Sequence, residues 1–142
     1  MTISITPYLQ FDGDAREAME FYHSVFGGEL TMTTFGEGMG DTADAESASR
    51  IMHASLYVEP GFHLMASDTA PGMPPARNGV YSLSSDGTNA ADDEPLRGYW
   101  EKLAADGAID MPMEVAPWGD AFGQVTDKFG ISWFVNVTAA QR

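Results

Sequence analysis

Polar and apolar residues alternate from Ile3 to Phe11, with Ile5, Pro7, Leu9 and Phe11 on one side and Thr6, Tyr8 and Gln10 on the other, as in an amphipathic strand. The period then changes. Asp12-Gly13-Asp14 turns the chain, and Ala15 to Phe26 places Ala18, Met19, Tyr22 and Phe26 at helical spacing before Gly27-Gly28 ends the pattern. Leu30 to Phe35 is Thr-rich and alternates like a half-buried strand, whereas Gly36 to Ser49 has no periodicity and reads as a loop. Ile51 to Val58 and Phe62 to Ser67 are two further strands around the turn residues Glu59-Pro60-Gly61. A βαβββ module is thereby complete within about residues 1–68.

The Pro-rich stretch over about residues 69–78 reads as a linker, and the same order of elements then begins again. Val80 to Ser85 is a strand. Pro95 to Ala105 is a helix with Leu96, Tyr99, Trp100 and Leu103 as its apolar stripe, and Met111 to Val115, Ala121 to Thr126 and Ser132 to Val137 supply further strands. The second module spans about 79–142, so the expected fold is α+β, two βαβββ modules within a single domain over 1–142.

Composition narrows the function. A chain of 142 residues with 44% hydrophobic and 20% charged residues sits in the globular range, and folding at this length buries roughly 65 to 70% of the unfolded surface. Seven Lys plus Arg against 21 Asp plus Glu give a formal net charge of −14, which repels phosphate backbones and anionic lipid, so no nucleic-acid or membrane partner is expected. With no Cys there are no disulfides, thiolate metal sites or Cys nucleophiles. No apolar run approaches the roughly 20 residues of a membrane span and no signal core is evident, so the expected compartment is cytoplasmic.

Three segments carry a family resemblance. Ile5-Thr6-Pro7-Tyr8-Leu9 with Phe11-Asp12-Gly13 and Phe21-Tyr22, Ile51-Met52-His53-Ala54 with Met65-Ala66-Ser67-Asp68, and above all Trp118-Gly119-Asp120-Ala121-Phe122-Gly123-Gln124-Val125-Thr126-Asp127-Lys128-Phe129-Gly130-Ile131-Ser132-Trp133 resemble the opening, middle and final hairpin of PhnB-like proteins. These belong to the vicinal oxygen chelate superfamily, which includes glyoxalases, bleomycin-resistance proteins and dioxygenases. The resemblance implies paired βαβββ modules, each curving its mixed sheet into a cup, and a homodimer. Some relatives carry a methyltransferase label for ubiquinone chemistry, but no Gly-rich turn of the dinucleotide- or adenosyl-binding type follows a strand here.

Metal-dependent members of that superfamily take His, Glu or Gln ligands from the first and last strands of each module. The corresponding places here fall near Thr6 or Pro7, Leu64 or Met65, Gly79 or Val80, and Phe134, none of which serves a divalent ion as His or Glu would. The expectation is therefore no metal and no cofactor. His53 and His63 lie on adjacent strands, where a shared site and a structural role are both open, and the structural role is the simpler one; His23 reads as a surface or dimer-facing residue. Asp12 with Asp14 and Asp92 with Asp93 flank helix starts, where capping explains them better than acid–base work. No Gly-x-Ser-x-Gly, phosphate-loop or His-Glu-x-x-His motif occurs.

Strand parity sets Phe134 with Ser132 and Asn136 on one face and Trp133 with Val135 and Val137 on the other. One set fills the core, and the other lines a concavity suited to a small planar or apolar ligand. Met32, Met52 and Met65 read first as core filling. The candidate ligand-binding residues are Tyr8, Gln10, His53, Met65, Trp118, Phe122, Phe134 and Asn136, the polar ones to orient a ligand and the aromatic ones to cover it. A metal-dependent lyase, isomerase or dioxygenase using His53, His63 or Gln10 is the first alternative. The second is sequestration of a cationic drug, which the acidic charge favours.

Overall fold

Leu9 and Phe11 are buried on the short strand β1 (Tyr8–Phe11), and the helix α1 (Ala15–Phe26) covers that side of its sheet with Ala18, Met19, Tyr22, Val25 and Phe26. The computed structural model of the protein describes residues 4–40, 47–70 and 74–139, which divide between two compact units, Met1–Asn78 and Gly79–Arg142. In the first unit, β2 (Glu29–Thr34), β3 (Ile51–Glu59) and β4 (Phe62–Asp68) complete a sheet of order β1-β4-β3-β2, in which β1 runs parallel to β4 and the other pairs are antiparallel. The second unit repeats the arrangement. There β5 (Val80–Ser84), β6 (Ala108–Val115), β7 (Ala121–Thr126) and β8 (Ser132–Val137) form the order β5-β8-β7-β6, with β5 parallel to β8 and α3 (Asp93–Ala104) packed on β7 and β8. Each unit is thus one βαβββ module, and the α+β expectation from the duplicated pattern holds.

One face of each sheet makes the core. Leu56, Leu64 and Ala66 meet α1 in the first unit; Val125, Trp133, Val135 and Val137 meet Leu96, Trp100 and Leu103 of α3 in the second. Buried carboxylates hold the loops at these cores. Asp68, 2% exposed, accepts the backbone N–H of Gly13 (2.7 Å) and Ala15 (3.0 Å) on one oxygen and that of Ile51 (2.8 Å) on the other. Asp127 accepts the N–H groups of Phe129 and Ile131 and the indole Nε1–H of Trp133 (2.8 Å). Charge-assisted bonds of this kind contribute roughly 1.5 to 3 kcal/mol each where the donors are buried.

Several expectations need correction. The first strand begins at Tyr8, and Ile5 is 99% exposed, so only Leu9 and Phe11 of its apolar side reach the core. The presumed loop after residue 35 opens with a short helix, α2 (Phe35–Met39), before residues 41–46, which lie outside the described set. Two glycines hide that helix, but Thr34 and Glu37 form a reciprocal capping box and Phe35 is buried beneath it. Neither acid pair caps through its side chain. Asp14 and Asp92 make no side-chain cap bond: Asp68 reaches the start of α1 from across the sheet, and a 3₁₀ turn (Ala90–Asp92, capped by Asn89) runs straight into α3. Asp12 instead pairs with Arg50. Met32, Met52 and Met65 are only half-buried and do not fill the core, whereas Met19 does.

Candidate functional site

The sheet faces turned away from the helices carry the candidate residues. In the first unit, register sets Tyr8 opposite Met65 and Gln10 opposite Ser67, with Ser55 beyond Met65 and Tyr57 opposite His63. The Tyr8 and His53 rings lie 6.1 Å apart, so β1 and β3 meet over this face. His63 is already bonded: its Nε2 is 2.6 Å from the Ser55 hydroxyl, and its ring sits edge-on to Tyr57 at 5.6 Å. Tyr8, Gln10, His53 and Met65 therefore share one face.

A bulge between Thr33 and Thr34 breaks the alternation of β3 and turns Met52 to the same region as Gln10 and Ser67. There a hollow of about 530 Å³ opens, with Phe35, Asp68, Thr69 and Arg77 also on its wall. Asn78 fixes the open edge of β1 beside it. Its carboxamide accepts the Gln10 N–H and donates to the Gln10 carbonyl, both at 3.0 Å, and so takes the place of a neighbouring strand.

In the second unit the same face is aromatic. Trp118 stacks on Phe122 (5.7 Å between centroids, 13° between planes), and Phe122 stacks on Phe134 (5.6 Å, 14°), a continuous ladder of near-parallel rings. Phe122 lies opposite Asn136 on β8, and Gln124 lies opposite Phe134. The ladder exists because β7 and β8 alternate strictly: Ala121, Gly123 and Val125 are buried with Trp133, Val135 and Val137, which leaves Phe122 and Phe134 on the other side. Gly123 is required, since a Cβ there would meet Trp100 Cη2 at 2.7 Å and the Met111 carbonyl oxygen at 2.8 Å. Trp118 is 67% exposed, and with Phe122, Met111, Glu114 and Val115 it borders a hollow of about 210 Å³.

The predicted residues thus fall into two sets of neighbours, one on the open face of each sheet. Sequence reasoning missed Met52, Ser67 and Arg77. Ser67 shares the parity of Met65 and was accessible on that ground; Met52 depends on a bulge and Arg77 on the path of a loop, and neither leaves a local signal. Among the described residues, no group of three or more His, Asp or Glu side chains converges as a metal-binding set. No helix among them is long and apolar enough to cross a membrane.

Comparison with known proteins adds a family to this geometry. A family model described as 3-demethylubiquinone-9 3-methyltransferase matches residues 3–136. Protein YjdN of Escherichia coli (strain K12) is 32% identical over 147 residues, covering 96% of this chain and 97% of its own. The crystal structure of protein PA1353 from Pseudomonas aeruginosa matches with a TM-score of 0.79 at 35% identity, over 97% of this chain and 99% of that one. A Bacillus cereus structure described as a putative 3-demethylubiquinone-9 3-methyltransferase, PhnB protein, matches with a TM-score of 0.63 at 26% identity, over 96% and 100% of the two chains. A glyoxalase/bleomycin resistance protein/dioxygenase superfamily member from Sphaerobacter thermophilus, at 18% identity and a TM-score of 0.53 over 97% and 100%, shares the fold.

Proposed function

The chain belongs to the PhnB-like 3-demethylubiquinone-9 3-methyltransferase family, and on that footing we propose that it binds a small, planar, largely apolar molecule on the open face of the second sheet, without a divalent metal. The observation that carries this is the stack of Trp118, Phe122 and Phe134. Parallel rings offer a flat ligand another layer of the same stack, and an indole exposed at 67% is its free end. Asn136 and Gln124, on the same face, supply the hydrogen bonds that orient such a ligand.

The donor chemistry supports the metal-free part. On these faces the pairs in register are Tyr8 with Met65, Gln10 with Ser67, Val80 with Ser132 and Ser82 with Phe134. Phenol, thioether, amide, hydroxyl and aliphatic groups make a poor set for a borderline or hard cation, and of the two imidazoles on the first face His63 is already bonded to Ser55, which leaves His53 without a convergent partner set among the described residues. Methyl transfer needs a donor cofactor, and none of the described loops carries the Gly-rich phosphate-approach turn of an adenosyl or dinucleotide site.

The test is calorimetric titration with 2-naphthol and with its saturated, non-planar counterpart decahydro-2-naphthol. The planar compound binds measurably more tightly, and Trp118→Ala weakens it about five- to tenfold, the ~1 to 1.4 kcal/mol that one aromatic contact contributes. Equal binding of both compounds, or an unaffected W118A variant, overturns the proposal. Stoichiometric Zn, Ni, Mn or Fe in protein purified without a His tag overturns its metal-free part.

A further inference from the structure

The hollow of the first unit has different chemistry from the aromatic ladder, with an amide, two hydroxyl residues, a carboxylate and an arginine on its wall. Asp68 is the one acid on its wall among the described residues, and both of its carboxylate oxygens are engaged by the backbone N–H groups of Gly13, Ala15 and Ile51. Its charge also faces the N-terminus of α1, which offsets it further. Each of the groups left to meet a ligand is able to donate. Gln10 Oε1 accepts the Arg77 backbone N–H at 3.3 Å, so the amide's NH₂ end remains to donate. Ser67, Thr69 and Arg77 line the same space, and Arg77 forms no salt bridge among the described residues. Phe35, Met52, Pro74 and Pro75 add apolar lining to the same hollow.

From this the geometry points to a second binding site, in the first unit, for a small organic carboxylate with an apolar or aromatic body. The guanidinium and the amide and hydroxyl donors hold the head group, and Phe35 and Met52 cover the body. The whole-chain charge of −14 repels anions at long range, so a cation on the wall of this hollow with no salt bridge among the described residues marks selective short-range recognition against that field. A cation of the same shape meets both the field and Arg77's repulsion within the hollow, so the site discriminates head groups even though the protein as a whole favours cations.

The site goes beyond the ladder reading and fails independently of it. Benzoate, phenylacetate and cinnamate are titrated into the full chain by calorimetry at low ionic strength, with the uncharged amide of each acid and with benzylamine as controls. At least one acid binds saturably, at least tenfold more tightly than its amide, and benzylamine gives no competing heat. Arg77→Gln, a change at an exposed loop position, removes the preference for acid over amide, Arg77→Lys restores part of it, and Trp118→Ala leaves it unchanged. Binding of no acid, equal binding of acid and amide, or an acid preference that survives in R77Q overturns the site. Loss of the acid preference in W118A instead assigns the anion to the ladder and overturns it equally.

Discussion

At the residue scale, the two buried aspartates are the most consequential polar side chains. Asp68 ties the start of α1 to the start of β3, and Asp127 ties the β7–β8 turn to Trp133. Asp68→Asn replaces an acceptor with an NH₂ that faces a backbone N–H, so it destabilises by about 2 to 3 kcal/mol in denaturant unfolding. A change below about 0.5 kcal/mol would show that Asp68 is not the organiser proposed for the α1 start. Gly123→Ala forces a Cβ against Trp100 and the Met111 carbonyl oxygen, and overpacking of this type costs about 1 to 3 kcal/mol. The same melting experiment reads it. The turn glycine Gly130, with φ of 84° and open space where a Cβ would sit, is constrained by conformation alone.

At the scale of elements, the sequence announced most of the architecture because periodicity and burial agree. The helix from Ala15 ends at Phe26 as its spacing required, and the closing strands alternate without a break, so the side to which Phe122, Phe134 and Asn136 point was legible before any coordinates. What was not legible depends on tertiary context. Met52 joins the hollow through a bulge, α2 forms from a glycine-containing segment because a buried Phe35 and a capping box outweigh poor propensity, and the cap of α1 comes from Asp68, far along the chain. The α2 cap is also pH-sensitive. Hydrogen bonds from the Thr34 backbone and hydroxyl, with a smaller contribution from Arg16, hold the Glu37 carboxyl below the usual glutamate value. A depressed folded pKa means that the contribution is complete above the unfolded value and is lost as pH falls through the folded one. Amide exchange across Phe35–Met39, corrected for its intrinsic pH dependence, therefore loses protection on acidification below the ordinary glutamate range. Protection that persists unchanged would contradict the capping account.

At the scale of the whole molecule, a formal charge of −14 favours solubility and repels polyanions, while large exposed apolar side chains occur in both units, five of them in the second. Val80, Ile109, Met111, Val115 and Trp118 are all more than 40% exposed. Of these, Ile109, Met111 and Val115 lie along the β6 edge, and such a patch fits the homodimer expected from the family resemblance. Light scattering coupled to size exclusion should give twice the mass of one chain, and Ile109→Lys should shift the distribution toward monomer; a monomer at all concentrations would remove that expectation. The central claim, that the ladder is a ligand platform, is tested most directly by the indole Nε1–H signals in a ¹⁵N-resolved NMR titration with 2-naphthol. Trp100 and Trp133 are buried and Trp118 is exposed, so the account predicts a saturable shift confined largely to the Trp118 signal; a Trp118 signal that stays fixed while the compound binds elsewhere would contradict it.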